Sequence, residues 1–68
     1  MLDEYAVVVA TKNLSTGVQC GCIGTIILVY NDPSLAYEVE FIDNNGDTIE
    51  LLTVQPTDIK CESRVESE

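Results

Sequence analysis

The chain contains no histidine, no tryptophan, a single phenylalanine and only three basic residues among 68. Each scarcity removes something. Without histidine, every mechanism that moves a proton through an imidazole is excluded. With no Trp and one Phe, the core must be aliphatic with a few tyrosines. Twelve acidic residues stand against Lys12, Lys60 and Arg64, for a formal charge of -9. Nucleic-acid binding gains most of its free energy from Lys and Arg neutralising phosphates, so direct DNA or RNA binding is not expected. Docking on an anionic membrane is not expected either. The acidic surplus leaves two readings, simple solubility or long-range attraction to a basic partner surface.

No segment approaches the roughly 18 to 20 uninterrupted apolar residues that span a bilayer. The first residues, Met1-Leu2-Asp3-Glu4, are acidic where a secretory signal is basic. The expectation is a cytoplasmic protein. Cys20, Cys22 and Cys61 make an odd number, which argues against a closed disulfide framework. A reducing compartment keeps all three as thiols.

What is present is strand material. Hydrophobic residues make up 46% of the chain, many of them β-branched. Tyr5 to Ala10 is a valine-rich first strand, and Thr11 to Val18 breaks the pattern as a long loop. A glycine-spaced second strand runs from Gly21 to Tyr30, and Gly21 and Gly24 bracket its entry, where glycine marks a bulge or a close backbone approach. Asn31-Asp32-Pro33-Ser34 reads as a turn. A third strand alternates, with Tyr37, Val39 and Phe41 on one face and Glu38 and Glu40 on the other. Asn45-Gly46 signals a hairpin into a fourth strand, Thr48 to Val54. Pro56 ends that strand, and Pro56 to Ile59 is either a short 3₁₀ turn or a brief fifth strand.

This order predicts an all-β fold, a small SH3-like antiparallel barrel of four to five strands. Residues 1–60 form the single domain and 61–68 a polar C-terminal tail. The expected core is Val7, Val9, Ile23, Ile27, Val29, Val39, Phe41, Ile49 and Leu51. A chain this short buries only about 60% of the surface that it exposes unfolded, so its stability is marginal.

Three stretches carry a resemblance that runs from about Tyr5 to Ile59. They are Gly21-x-x-Gly24-Thr25-Ile26-Ile27-x-Val29-Tyr30, Tyr37-Glu38-Val39-Glu40-Phe41, and Gly46-x-Thr48-Ile49 with Leu52-Thr53. Together they resemble the short bacterial family catalogued as domain of unknown function 4926. The resemblance implies an SH3-type small barrel without established activity, and an accessory or antitoxin-like role beside a neighbouring protein. The chain departs from that pattern at Leu28, where an exposed Glu is usual, and at Cys20 and Cys22, where hydrophilic residues are usual.

Few residues could carry chemistry. A reactive cysteine needs a base or a positive environment, and Cys20, Cys22 and Cys61 have neither nearby in the sequence. Cys20-x-Cys22 with Cys61 offers three thiolates, whereas a closed zinc site takes four ligands. Asp43-Asn44-Asn45-Gly46-Asp47 lacks the ligand spacing of a calcium loop. No catalytic residue, cofactor or metal is therefore expected.

The second strand is anomalous because both its faces are apolar. Either it bends across the whole barrel, or Leu28 with Tyr30 or Ile26 forms an exposed patch that marks a protein interface. The leading expectation is a non-enzymatic protein-interaction module, docking through Ile26, Leu28, Tyr30, Glu38 and Glu40 on a protein partner or on a second copy. The alternatives are a KOW-type nucleic-acid-associated barrel, which the charge opposes, and a cysteine-based metal or redox site.

Overall fold

The structure, a computed structural model, describes residues 2–62. Five strands form one antiparallel sheet: β1 (Val7–Ala10), β2 (Ile23–Tyr30), β3 (Ala36–Ile42), β4 (Thr48–Val54) and β5 (Ile59–Cys61). Their order across the sheet is β4-β3-β2-β1-β5, so β4 and β5 are the edges. The fold is all-β, as the strand pattern requires, and both expectations for the last segment hold together. A 3₁₀ turn at Pro56–Asp58 leads directly into β5. Strand β5 runs through Cys61, and the Glu62 amide donates to the Val7 carbonyl at 2.9 Å. The sheet thus continues into the first residues of the expected tail, while 63–68 lie outside the described residues. Among the described residues, no helix is long and apolar enough to cross a membrane.

The core is Val8, Ala10, Val18, Ile26, Tyr37, Val39, Phe41, Val54 and Ile59. Of the expected set Val39 and Phe41 are buried there and Val29 packs half-buried against them, while register shifts in β2 and β4 break simple alternation. In β1 Val8 and Ala10 are buried, while Val7 faces outward, 46% exposed, and Val9 is only half-buried, against expectation. In β2 the register shifts between Ile26 and Leu28, leaving Ile27 as the extra residue. Ile26 therefore points inward opposite Val39, and Val29 points inward opposite Tyr37. Ile23 and Ile27 are only half-buried. In β4 the shift that places Glu50 opposite Phe41 turns Leu52 and Val54 inward. Leu51 and Ile49 are exposed, against expectation.

Val18 is the core residue that the sequence hid, because it sits in the segment between β1 and β2 that reads as a loop. That segment folds on itself. The Val18 amide donates to the Ser15 carbonyl and hydroxyl, and Leu14 and Ser15 donate back to the Val18 carbonyl. Ser15 in turn donates its hydroxyl to Glu50 Oε1 at 2.6 Å. The turn Asn44-Asn45-Gly46 closes the β3–β4 hairpin with Gly46 alone at positive φ, 86°. Asp43 Oδ1 accepts from the amides of Asn45 and Asp47, so the carboxylate fixes the turn that the glycine permits.

Gly24 is a packing glycine. A Cβ there would stand 2.6 Å from Val39 Cγ1, 2.9 Å from Phe41 Cδ1 and 3.0 Å from the Glu40 carbonyl oxygen. Such overpacking costs about 1 to 3 kcal/mol, so Gly24→Ala should lower the urea midpoint measurably. Phe41→Ala, at a fully buried site, should cost roughly 3 to 5 kcal/mol. Leu51→Ala, at a site 53% exposed, should cost far less. Equilibrium urea unfolding of the three variants checks this ranking. A Leu51→Ala loss as large as that of Phe41→Ala would reverse the inside and outside of β4.

Candidate interaction face

The two bulges sort the outward side chains of the sheet. Cross-strand pairing sets Leu28 beside Glu38 and Glu38 beside Thr53. One step along, Val7, Thr25, Glu40 and Leu51 form a row across four strands. Neighbouring strands are about 4.8 Å apart, so these side chains form a continuous surface. Leu28 is 46% exposed, Tyr30 41% and Leu51 53%. The face therefore holds large apolar groups around two glutamates at its centre.

Both carboxylates are oriented by threonines of β4. Thr53 donates its hydroxyl to Glu38 Oε1 at 2.6 Å, and Thr48 donates to Glu40 Oε2. Neither glutamate has an ion-pair partner among the described residues, where Lys12 with Asp58 is the salt bridge present. Glu50, the third acid of these strands, is turned away toward Ser15. Glu38 and Glu40 therefore stand on this face without Glu50.

Of the five expected interface residues, four share this face: Leu28, Tyr30, Glu38 and Glu40. Ile26 does not. It is fully buried in the core, because the bulge follows it and reverses the phase of what comes after. Leu51, assigned to the core from the alternation of β4, belongs to the face instead. Its exposure depends on the β4 register shift, and no residue pattern in the sequence marks that shift.

The cysteines lie elsewhere. Cys20 and Cys22 line an open depression of about 970 Å³ between the β1–β2 segment and the β3–β4 turn, with Gly17, Asp43 and Asn45. Cys61 sits on β5, opposite Val8. Among the described residues no group of three His, Cys, Asp or Glu side chains is placed to hold a metal ion. Burial pushes the Cys22 thiol above its usual pKa, and the nearby Asp43 carboxylate adds to the effect. A backbone hydrogen bond to Ile23 opposes both. A raised pKa means less thiolate at neutral pH, the reverse of what a nucleophile needs. At pH 8, iodoacetamide should label the exposed Cys20 and Cys61 before the half-buried Cys22. Time-resolved peptide mass spectrometry reads the order, and fastest labelling at Cys22 would make it an activated thiol.

A second depression, about 500 Å³, lies between Ser34, Leu35 and Ala36 on one side and Thr53 to Pro56 on the other. None of its lining residues is aromatic. Proline-rich peptides dock in aromatic-lined grooves, so this depression lacks the walls for that mode.

No curated protein and no solved structure matches the chain. One family model does match, over residues 4–61, which span all five strands. By that match the chain belongs to the family described as domain of unknown function (DUF4926).

Proposed function

We propose that the protein is a non-enzymatic interaction module that binds a protein partner with a basic surface through the outward face of β2, β3 and β4. The observation that carries this reading is the composition of that face. Leu28, Tyr30 and Leu51 surround two glutamates that lack counter-ions among the described residues. Each exposed leucine has roughly half its side chain left to bury, worth about 1 kcal/mol apiece from the usual range for full burial. Glu38 and Glu40 add selectivity more than affinity, since exposed ion pairs contribute at most about 1 kcal/mol. The overall charge of -9 steers a basic partner to this surface and repels acidic ones. Three free thiols fit a reducing, cytoplasmic setting.

A second copy of the chain is the weaker occupant, because it would bring two further carboxylates against Glu38 and Glu40. The two occupants respond to salt in opposite directions. Screening weakens a basic partner's grip and relieves the repulsion between identical acidic chains.

Immobilised protein should retain basic proteins from the native lysate at low salt, released by about 300 mM salt. Leu28→Glu and Glu38→Lys should each lose at least fivefold of that retention. Equal retention by both variants and the parent would remove this face as the contact. Sedimentation velocity at low and high salt should give a monomer at low salt, and any dimer appearing only at high salt should be weakened by Leu28→Glu. Duplex DNA should show no salt-sensitive micromolar binding.

A further inference from the structure

Among the described residues strand β4 ends the sheet and pairs with β3 alone. An edge strand presents alternate N–H and C=O groups on its free side, a template for another strand. Soluble proteins blunt such edges with proline, lysine, bulges or a covering segment. Strand β4 has neither proline nor lysine between Thr48 and Val54. Its bulge lies near the hairpin turn, and Leu51 to Val54 continue in unbroken register with Glu40 to Tyr37. The covering segment also stops short. Ser15 bonds Glu50, and Gly17 lies close against Ile49 and Glu50, at the hairpin end of the strand. The opposite edge, β5, is three residues long and carries Lys60. Of the two edges, β4 is therefore the longer and the less protected.

Charge selects the occupant. A second β4 would arrive with its own Glu38 and Glu40 one strand behind it, adding acid to acid. A basic strand meets the opposite situation. Its side chains on the outward face would stand about two strand spacings, roughly 10 Å, from Glu38 and Glu40. A lysine or arginine and a glutamate can close that gap by leaning toward each other over β4. The aliphatic stems of those lysine or arginine side chains would cover Leu51, and the depression at Thr53, Val54 and Pro56 would receive a side chain from the strand's end.

We propose that β4 accepts an extended segment of a basic partner protein as a sixth strand along Leu51 to Val54. This rests on the interaction-module reading and adds its docking mode, main-chain pairing with lysine or arginine side chains directed to Glu38 and Glu40.

The test uses the full, isotopically labelled chain and two nine-residue synthetic peptides, one alternating lysine with valine and one alternating glutamate with valine. Backbone amide exchange is followed by NMR at 50 mM and 300 mM salt. The lysine peptide should slow exchange in Leu51 to Val54 at least tenfold and leave Ile59 to Cys61 unchanged. Its Kd should weaken at least tenfold at the higher salt, and the glutamate peptide should have no effect. Leu51→Lys, which places an edge charge at an exposed position, should abolish the protection while the variant stays folded. Shifts at Leu28 and Tyr30 without β4 protection would refute strand addition and leave the face intact as a contact. No binding of the lysine peptide up to 1 mM would also refute it, and the lysate experiment then judges the interaction reading separately. Protection by a second copy at high salt, or equally by both peptides, would overturn the basic occupant.

Discussion

The extra residue at Ile27 governs which chemistry this protein shows to solvent. Regular alternation through β2 would place Ile26, Leu28 and Tyr30 on one side together. The register shift between Ile26 and Leu28 breaks that set. Ile26 stays in the core opposite Val39, Val29 turns inward opposite Tyr37, and Leu28 and Tyr30 turn out. A bulge also bends its strand and sharpens the local twist, which a short sheet needs in order to enclose a core. The same register shift that leaves Leu28 exposed is thus of the kind that bends a strand around a core.

The same coupling recurs in β4. Its register shift turns Glu50 to the inner side, where an unpartnered carboxylate would be costly. The segment between β1 and β2 meets that need with the Ser15 hydroxyl, and the fold that delivers Ser15 also delivers Val18 to the core. Leu51 is exposed as the other consequence. What reads as a loop is thus a structural element. It fills one end of the core, satisfies an inward acid and ties Cys20 back through the Asn13 side chain.

Legibility in the sequence followed the local signals. The first four strands and the hairpin at Asn45-Gly46 are written in residues a few positions apart, whereas at Pro56 to Ile59 those signals leave a 3₁₀ turn and a fifth strand open, and the chain forms both in succession. The phase of β3 was legible because Tyr37, Val39 and Phe41 alternate with glutamates. The phases of β1, β2 and β4 were not, because Val7-Val8-Val9, Ile26-Ile27-Leu28-Val29 and Leu51-Leu52 offer apolar side chains in both parities. In β2 and β4 a register shift decides which side chain is buried, and in β1 the pairing with its neighbours does; both are set across strands. The candidate interaction face inherited that uncertainty. Its glutamates and Leu28 were legible, Leu51 was mistaken for core, and Ile26 was mistaken for surface.

On the proposed reading, the glutamates also oppose clumping of the apolar face. Uncovered leucines and a free edge favour association of like with like. Glu38 and Glu40 stand at the centre of that surface, held outward by Thr53 and Thr48. Any copy that approached face to face would bring its own pair onto them, in a contact that excludes the water and salt that screen them in solution. The penalty rises as the contact tightens, so it acts most strongly on the close, well-packed association that the leucines would otherwise drive. A cationic partner meets the same two carboxylates with the opposite sign, and for it the closeness that repels a copy strengthens the contact. On the proposed reading, one pair of side chains thus sets both what the face would exclude and what it would accept.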